Sequence, residues 1–403
     1  MSEYDITIVG NGMVGATLAC AIATNVNDLT IAVIDTAALI NKPPINSFDL
    51  RVSAITRASE NIYKNIGAWE LIEKTRISPY RDMHVWDSKG NGVVHFDSAD
   101  LAEPTLGHII ENRVMLYALQ QRMQAFANIT VIAPTRCKKL IENEEQVVLL
   151  LEDDQVLTTS VLVGADGSRS WVRQQANMMV RGWDYDQAAL VAYVKTEKHH
   201  QETAWQRFMP SGPLAFLPLQ DGYSSIVWST TPEHAEQLKN MDEAEFKKAL
   251  CIASDNTLGE ILSCSDRAVF PLRFFVADNY IKPNLALVGD AAHTVHPLAG
   301  QGVNLGLADA AALAQTIIDA HQQGKMINAL SVLRQYERWR KADNLAMMVA
   351  VDGFKHLFGS ELGIVRELRN TGMTLVDNLP VVKNTVIKQA MGLSGDLSRF
   401  AMS

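Results

Sequence analysis

Apolar residues along this chain follow two different periods. Short, nearly continuous runs of β-branched and aliphatic residues recur at 6–9, 29–34, 161–163 and 285–288, each ending at a glycine or an aspartate. Runs of this length and composition predict fully buried strands. The first run leads into an uncharged segment that reads as an apolar helix. The last leads through a loop holding Pro297, Gly300 and Gly302 into an alanine-rich helix expected over 304–320. Between these lies a stretch of a different character, with short strands expected at 190–196, 205–209, 213–218 and 224–230, separated by Gly, Pro and charged turns. A helix over 242–252 interrupts it, opening on Asp242 with acids first and lysines later. After Arg340 the pattern becomes helical, with Met347, Met348, Val349, Val351, Phe354, Leu357 and Phe358 among interspersed Lys355, Arg366, Arg369, Lys383 and Lys388. There are no internal repeats and no low-complexity tracts.

Three of the buried strands end in motifs that carry chemistry. Gly10-x-Gly12-x-x-Gly15 sits between the first strand and a helix, the context in which glycines admit a pyrophosphate to backbone N–H groups. The second strand ends at Asp35, twenty residues after Gly15, where a carboxylate can accept the hydroxyls of an adenosine ribose. Together these predict a dinucleotide site without choosing between FAD and NAD. Gly164-Ala165-Asp166-Gly167 ends the third strand, and Arg173 follows six residues later; alone, it would be an ordinary turn with a solvated aspartate. The last strand delivers Gly289 and Asp290 to a glycine-containing loop and a helix start. Glycines there allow close approach of a ligand, and the helix presents free N–H groups and its positive dipole end. A ring that gains negative charge on reduction, a flavin, suits that arrangement.

Composition narrows the partners. With 403 residues, of which 47% are hydrophobic, the chain can bury a large core and form two or more domains. A net charge of −9 and the lack of any Lys/Arg block argue against nucleic acid. Cys20, Cys137, Cys251 and Cys264 show no paired spacing, so neither a metal site nor a disulfide framework is indicated, and their use suits a reducing cytosol. The uncharged stretch 6–27 resembles a signal peptide or membrane span only superficially. Glu3 and Asp5 precede it where a basic segment would be needed, and its glycines fall in the nucleotide pattern. A protein that does not span the membrane is expected.

The three motifs in this order resemble the single-component flavoprotein aromatic hydroxylases. The run His296-Pro297-Leu298-Ala299-Gly300-Gln301-Gly302-Val303-Asn304-Leu305-Gly306, followed by Asp309, is similar to the signature of the ubiquinone-biosynthesis hydroxylases within that family. Segments 50–55, 107–112, 215–219 and 389–393 also look like family segments, so the resemblance runs from Asp5 to about Leu393. The segment Trp205-Gln206-Arg207-Phe208, with Ala342-Asp343-Asn344, looks closest to the hydroxylase of the late demethoxy-quinol step; the tail and 107–112 lie nearer the hydroxylase of an earlier ring step.

The resemblance implies an α/β fold, with a Rossmann-type FAD-binding domain assembled from discontinuous segments (1–75, 105–178 and 268–345). A β-rich substrate domain would comprise 76–104 and 179–267, and a helical C-terminal region 346–403. It implies an NAD(P)H-dependent FAD monooxygenase that hydroxylates a polyprenyl phenol or quinol with O2 through a flavin C4a-hydroperoxide. The leaning is to 2-polyprenyl-3-methyl-6-methoxy-1,4-benzoquinol, and the alternative is the earlier phenol step. FAD would be held by Gly10, Gly12, Gly15, Asp35, Arg51, Arg113, Asp166, Gly289, Asp290, Gly300, Gln301, Gly302, Val303 and Asn304, with Pro297, Gly300 and Gln301 lining the ring. No catalytic triad is expected, because the cofactor carries the chemistry. His293 and His296 would be structural or hydrogen-bonding groups. NAD(P)H would be a transient donor, since no second G-x-G-x-x-G exists.

Two other readings stand beside this one: a flavin halogenase or prenyl reductase on the same scaffold, and a non-catalytic escort. A flavin halogenase of this scaffold carries WxWxIP, whereas Trp228 stands alone in SIVWST. A non-catalytic escort of prenylated partners would be favoured by loss of Asp290 or Gly302, and both are present. Phe208, Phe216, Leu217, Pro218 and Trp228 are candidate pocket walls, of which strand alternation allows about half to face the substrate. The helices after Arg340 admit two readings: packing on the core, or peripheral contact with the inner membrane surface or a partner protein. Cytoplasmic location and self-association complete the expectations.

Overall fold

A computed structural model of the chain describes residues 2–294, 302–359, 377 and 379–402. His296, Pro297, Gly300, Gln301, Arg366 and Arg369 lie outside the described residues, as do the side chains of Met347, Met348, Val349, Val351, Phe354, Lys355, Leu357 and Phe358.

The β-branched runs form one parallel sheet. Leu285–Leu287, Val156–Gly164, Ser2–Val9, Ile31–Ile34 and Ile129–Ile132 lie side by side in that order, with Ile281–Lys282 at one margin and two antiparallel strands branching from Val156–Gly164. In the register Val9 pairs with Gly164 and Ile34, and Gly164 with Leu287. All three motif-bearing tips therefore emerge at the same carboxyl edge, where open α/β sheets hold ligands. Helices Met13–Asn25 and Gly302–Gln322 cover one face, and their apolar residues join the sheet in the largest core.

The β-rich stretch forms a second, nine-stranded sheet. Its strands run Ala268–Ala277, Val180–Thr196, Tyr223–Thr230, Gly212–Pro218, Thr203–Met209, Asp82–Asp87 and Val93–Asp97, flanked by His293–Thr294 and Ile261–Cys264. Two features depart from the sequence expectation. Ala268–Ala277 belongs to this sheet, so the boundary expected after 267 falls inside it. The strand expected at 190 begins at Val180, ten residues earlier, because RGWDYDQ mixes charge, glycine and aromatics and carries a bulge between Asp184 and Gln187. The helix expected from Asp242 spans Glu243–Ala253, with the Asp242 carboxylate accepting from the Glu245 N–H at 2.9 Å. A further helix, Pro232–Asn240, had its signal in Thr231-Pro232, an N-cap followed by a first-turn proline.

Alternation gives this sheet two distinct faces. Leu190, Ala192, Val194, Leu214, Phe216, Ile226 and Trp228 pack outward against Leu238, Phe246 and Leu250 of the two helices. Ala204, Ala215, Leu217, Tyr193 and Val227 face inward, toward Ala54, Tyr80, Leu106 and Ile109 of a small sheet formed by Val52–Ile55, Gly107–Glu111 and Ser78–Tyr80. Phe216 and Trp228 thus stand on the far side from the parallel sheet, whereas Leu217 and Phe208 share the inner face.

The chain's end closes on the fold. Ile387 and Met391 are buried on the inner face, and Phe400 and Ala401 enter the main core. Asn61 and Asn65 donate to the carbonyls of Ala401 and Phe400 at 3.0 and 2.8 Å. Lys383 pairs with Asp100 at 3.1 Å. For these residues the core-packing reading holds. Phe400→Ala is expected to lower unfolding free energy by about 3–5 kcal/mol; a denaturation midpoint equal to the wild type's would show that the end only rests on the surface.

Candidate cofactor site

Each glycine of the first motif has its own reason. Gly10 has φ +111°, and a Cβ there would sit 2.3 Å from the Ala165 carbonyl oxygen on the neighbouring strand tip. A Cβ on Gly15 would meet the Gly10 carbonyl oxygen at 2.0 Å. These two glycines let helix and strand tips close on one another. Gly12 differs: a Cβ there would meet nothing within 4 Å. It caps Met13–Asn25 without a side-chain bond, so the helix's first N–H groups face an open hollow. Asp35 steadies the turn, its two oxygens accepting from the N–H groups of Asn11 at 2.6 Å and Ala37 at 2.8 Å.

The second motif lies directly beside this turn. One Asp166 oxygen accepts from the Val172 N–H at 3.0 Å, while the other is buried without a partner. Burial pushes its carboxyl above the ordinary range, against the hydrogen bonds that lower it. Both amide atoms of the Asn11 side chain are likewise buried and unpartnered. Arg173 turns the other way, donating to the Ala291 and Ser168 carbonyls at 2.8 and 2.9 Å and lying over the Phe275 ring. It binds the second motif to the third.

In the third motif Gly289 takes φ +58°, packed on Val14, and Asp290 follows. The Asp290 carboxylate opens to solvent, yet protein encloses most of its surroundings, as for a group lining a hollow. Desolvation pushes it upward, while His293 and Arg51 pull it down. Gly302 begins the helix Gly302–Gln322, and a Cβ there would meet nothing within 4 Å. Val303 packs on the main core. Asn304 anchors the helix start, donating to the Ala54 carbonyl at 2.8 Å and accepting from the Thr56 N–H at 3.2 Å. Arg113 sits at a helix start and is engaged with Glu111 at 2.9 Å and with the Ser47 carbonyl. Arg51 is exposed beside Phe270.

One residue of this site carries more than the sequence suggested. Asp309 is fully buried within the apolar helix and accepts four hydrogen bonds. Donors are the Gly289 N–H at 3.1 Å, His293 Nε2 at 2.5 Å, Arg340 Nε at 2.9 Å and Asn344 Nδ2 at 3.1 Å. Burial alone would raise its carboxyl, but His293 and Arg340 bring it down to about 2. A depressed carboxylate stabilises the fold fully above its ordinary value near 3.8, and that contribution fades as pH falls through about 2. The sequence signal was an acid amid Leu305, Leu307, Ala310 and Ala311, which demands partners.

Orphaned polar atoms on Asn11 and Asp166, an open helix start at Gly12, a second at Gly302 and the Asp290 carboxylate fit one dinucleotide laid from Asp35 to Gly302. The comparisons agree. The family model "FAD binding domain" matches residues 3–351. The 3-demethoxyubiquinol 3-hydroxylase of Escherichia coli (strain K12) is 37% identical over 96% of this chain and 98% of its own. The mitochondrial ubiquinone biosynthesis monooxygenase COQ6 of Homo sapiens is 33% identical over 95% of this chain and 92% of its own. Among solved structures, p-nitrophenol 4-monooxygenase from Pseudomonas putida superposes with a TM-score of 0.80 at 17% identity, covering 97% of this chain and 99% of its own.

Gly15→Ala and Gly12→Ala should therefore fail differently. The first forces backbone apart and should destabilise the fold by about 1–3 kcal/mol or more. The second should leave stability near the wild type's and weaken FAD binding. Equal effects of the two on denaturation and on flavin titration would contradict this division of roles.

Proposed function

Because the chain belongs to the FAD-dependent monooxygenases of ubiquinone biosynthesis, we propose that it hydroxylates the ring of 2-polyprenyl-3-methyl-6-methoxy-1,4-benzoquinol. The observation that supports this is the meeting of the three motif-bearing strand tips at one edge, joined to the apolar inner sheet face through Ala54 and Asn304. The segment 205–208, shared in kind with the late-step hydroxylase, lies on the strand Thr203–Met209 of that sheet. The earlier polyprenylphenol step is the second reading, favoured by 107–112, which forms the strand Gly107–Glu111 beside the same face.

Bound FAD, reduced by NAD(P)H, supplies an activation of O2 that no side chain can. The protein's part is to hold and to exclude. We assign Gly10, Gly12, Gly15 and the helix start behind them to the pyrophosphate, and Asp35 to the adenosine ribose. Asp166 and Asp290 take hydroxyls along the chain of the cofactor, with Arg51 and Arg113 flanking it. Gly289, Gly300, Gln301, Gly302, Val303 and Asn304, with Pro297, frame the ring. The dipole of the helix beginning at Gly302 stabilises negative charge gained there on reduction. The inner face, with Leu217, Val227 and Tyr193, keeps water from the reacting ring. No helix among the described residues is long and apolar enough to cross a membrane. We place the protein in the cytoplasm, meeting its lipid substrate at the inner membrane surface.

NAD(P)H oxidation by the FAD-loaded protein is expected to be slow alone and to accelerate on adding the methoxy-benzoquinol, with a hydroxylated product detected by mass spectrometry. Stimulation by a halide or an alkene, with every phenol and quinol inert, would contradict the assignment.

A further inference from the structure

One polar side chain stands out on the inner face. Gln206 is 5% exposed as a residue, yet its amide atoms are not among those sealed from solvent without a partner. It lies between Ala204 and Phe208 on its strand, both inward-facing. Register places it in a transverse row: Val85 on one neighbour, Ala215 on the other, then Val227 and Val191 beyond. Gln206 is the single amide in a row of aliphatic residues. Ala215 and Leu217 pack with Ala54, whose carbonyl holds Asn304 at the start of the cofactor-facing helix. The amide is thus set on the face that adjoins the proposed ring site.

An enclosed residue whose amide atoms stay open to the face it lines can offer both of them to a ligand. Its oxygen accepts from a hydroxyl, and its N–H groups donate to an adjacent ring oxygen. The charge around it narrows the ligand further. The neighbouring cation, Arg207, turns to the opposite face and donates to the carbonyls of Ile252 and Ala253 at 3.3 and 2.9 Å. No cation among the described residues of this row could pair a carboxylate. We propose that Gln206 is the specificity-determining group of the substrate pocket, reading a phenolic hydroxyl on a neutral, uncarboxylated ring. This rests on the ring-hydroxylase reading above.

The test uses the FAD-loaded protein under anaerobic conditions, with the flavin absorbance change reporting binding. The probes are 2-geranyl-3-methyl-6-methoxy-1,4-benzoquinol and its di-O-methyl ether. The wild type should bind the free quinol about tenfold or more tightly than the ether, the scale of one good hydrogen bond. Gln206→Leu and the volume-conserving Gln206→Met should reduce that preference to about threefold or less, with FAD affinity retained and the melting temperature unchanged or raised. Full discrimination in both variants would overturn the assignment alone. So would a fall in melting temperature in both, which would make Gln206 a structural residue. A wild type blind to both probes would sink the ring-hydroxylase reading and this inference with it.

Discussion

The cofactor site depends on one buried carboxylate. Asp309 joins the Gly289 turn, His293, and through Arg340 and Asn344 the long helix Leu330–Gly359. Both of its oxygens are saturated by donors, two of them side chains able to carry positive charge. A lone charge in this position would be costly to bury. Its partners make it the joint between the last parallel strand and the helices that follow. Gly289 can hold its left-handed turn, and Asp290 its place in the hollow, because the N–H between them and the strand is fixed to this carboxylate. Arg340 gains a second contact from Asp343 at 2.9 Å, which extends the joint outward to solvent.

A second constraint shapes the substrate side. The nine-stranded sheet has no free choice of which residues face the parallel domain, since its outer face is taken by helices Pro232–Asn240 and Glu243–Ala253. Two aromatic residues that composition alone would offer as pocket walls, Phe216 and Trp228, are thereby spent on the outer core. The inner face is left with smaller and aliphatic groups, Phe208, Tyr193, Tyr223 and the amide of Gln206. Arg173 fastens the two halves from the other side, bonding to the Ala291 carbonyl while lying over Phe275 of the nine-stranded sheet.

Much of this was legible in the sequence because the strongest signals are local. Four apolar runs ending in Gly or Asp could become one parallel sheet, and the three motifs then had to meet at one edge. The helix expected over 304–320 is observed over Gly302–Gln322. What stayed hidden depends on partners distant along the chain. Asn304 reads as a residue of the ring loop, yet its side chain also reaches back to Ala54 and Thr56. Arg113 reads as a cofactor residue, yet it is held by Glu111 and Ser47. Asp309 was legible as the acid that follows the family signature, but its partner Arg340, thirty-one residues away, was not. The strand segment 180–187 was masked by its bulge. The end of the chain concealed core residues behind a sparse apolar pattern, as Phe400 shows.

The central claim is that the ionised Asp309 carboxylate organises the third motif. It is tested most directly by the unfolding free energy of FAD-saturated wild type and Asp309→Asn as a function of pH. The account predicts a variant about 3–5 kcal/mol less stable at neutral pH, the scale for breaking a buried ion pair. The difference should narrow as pH falls below about 4 toward 2, where the wild-type carboxylate takes up its proton. Equal stability of the two proteins at neutral pH, or a difference that does not change with acidification, would contradict it.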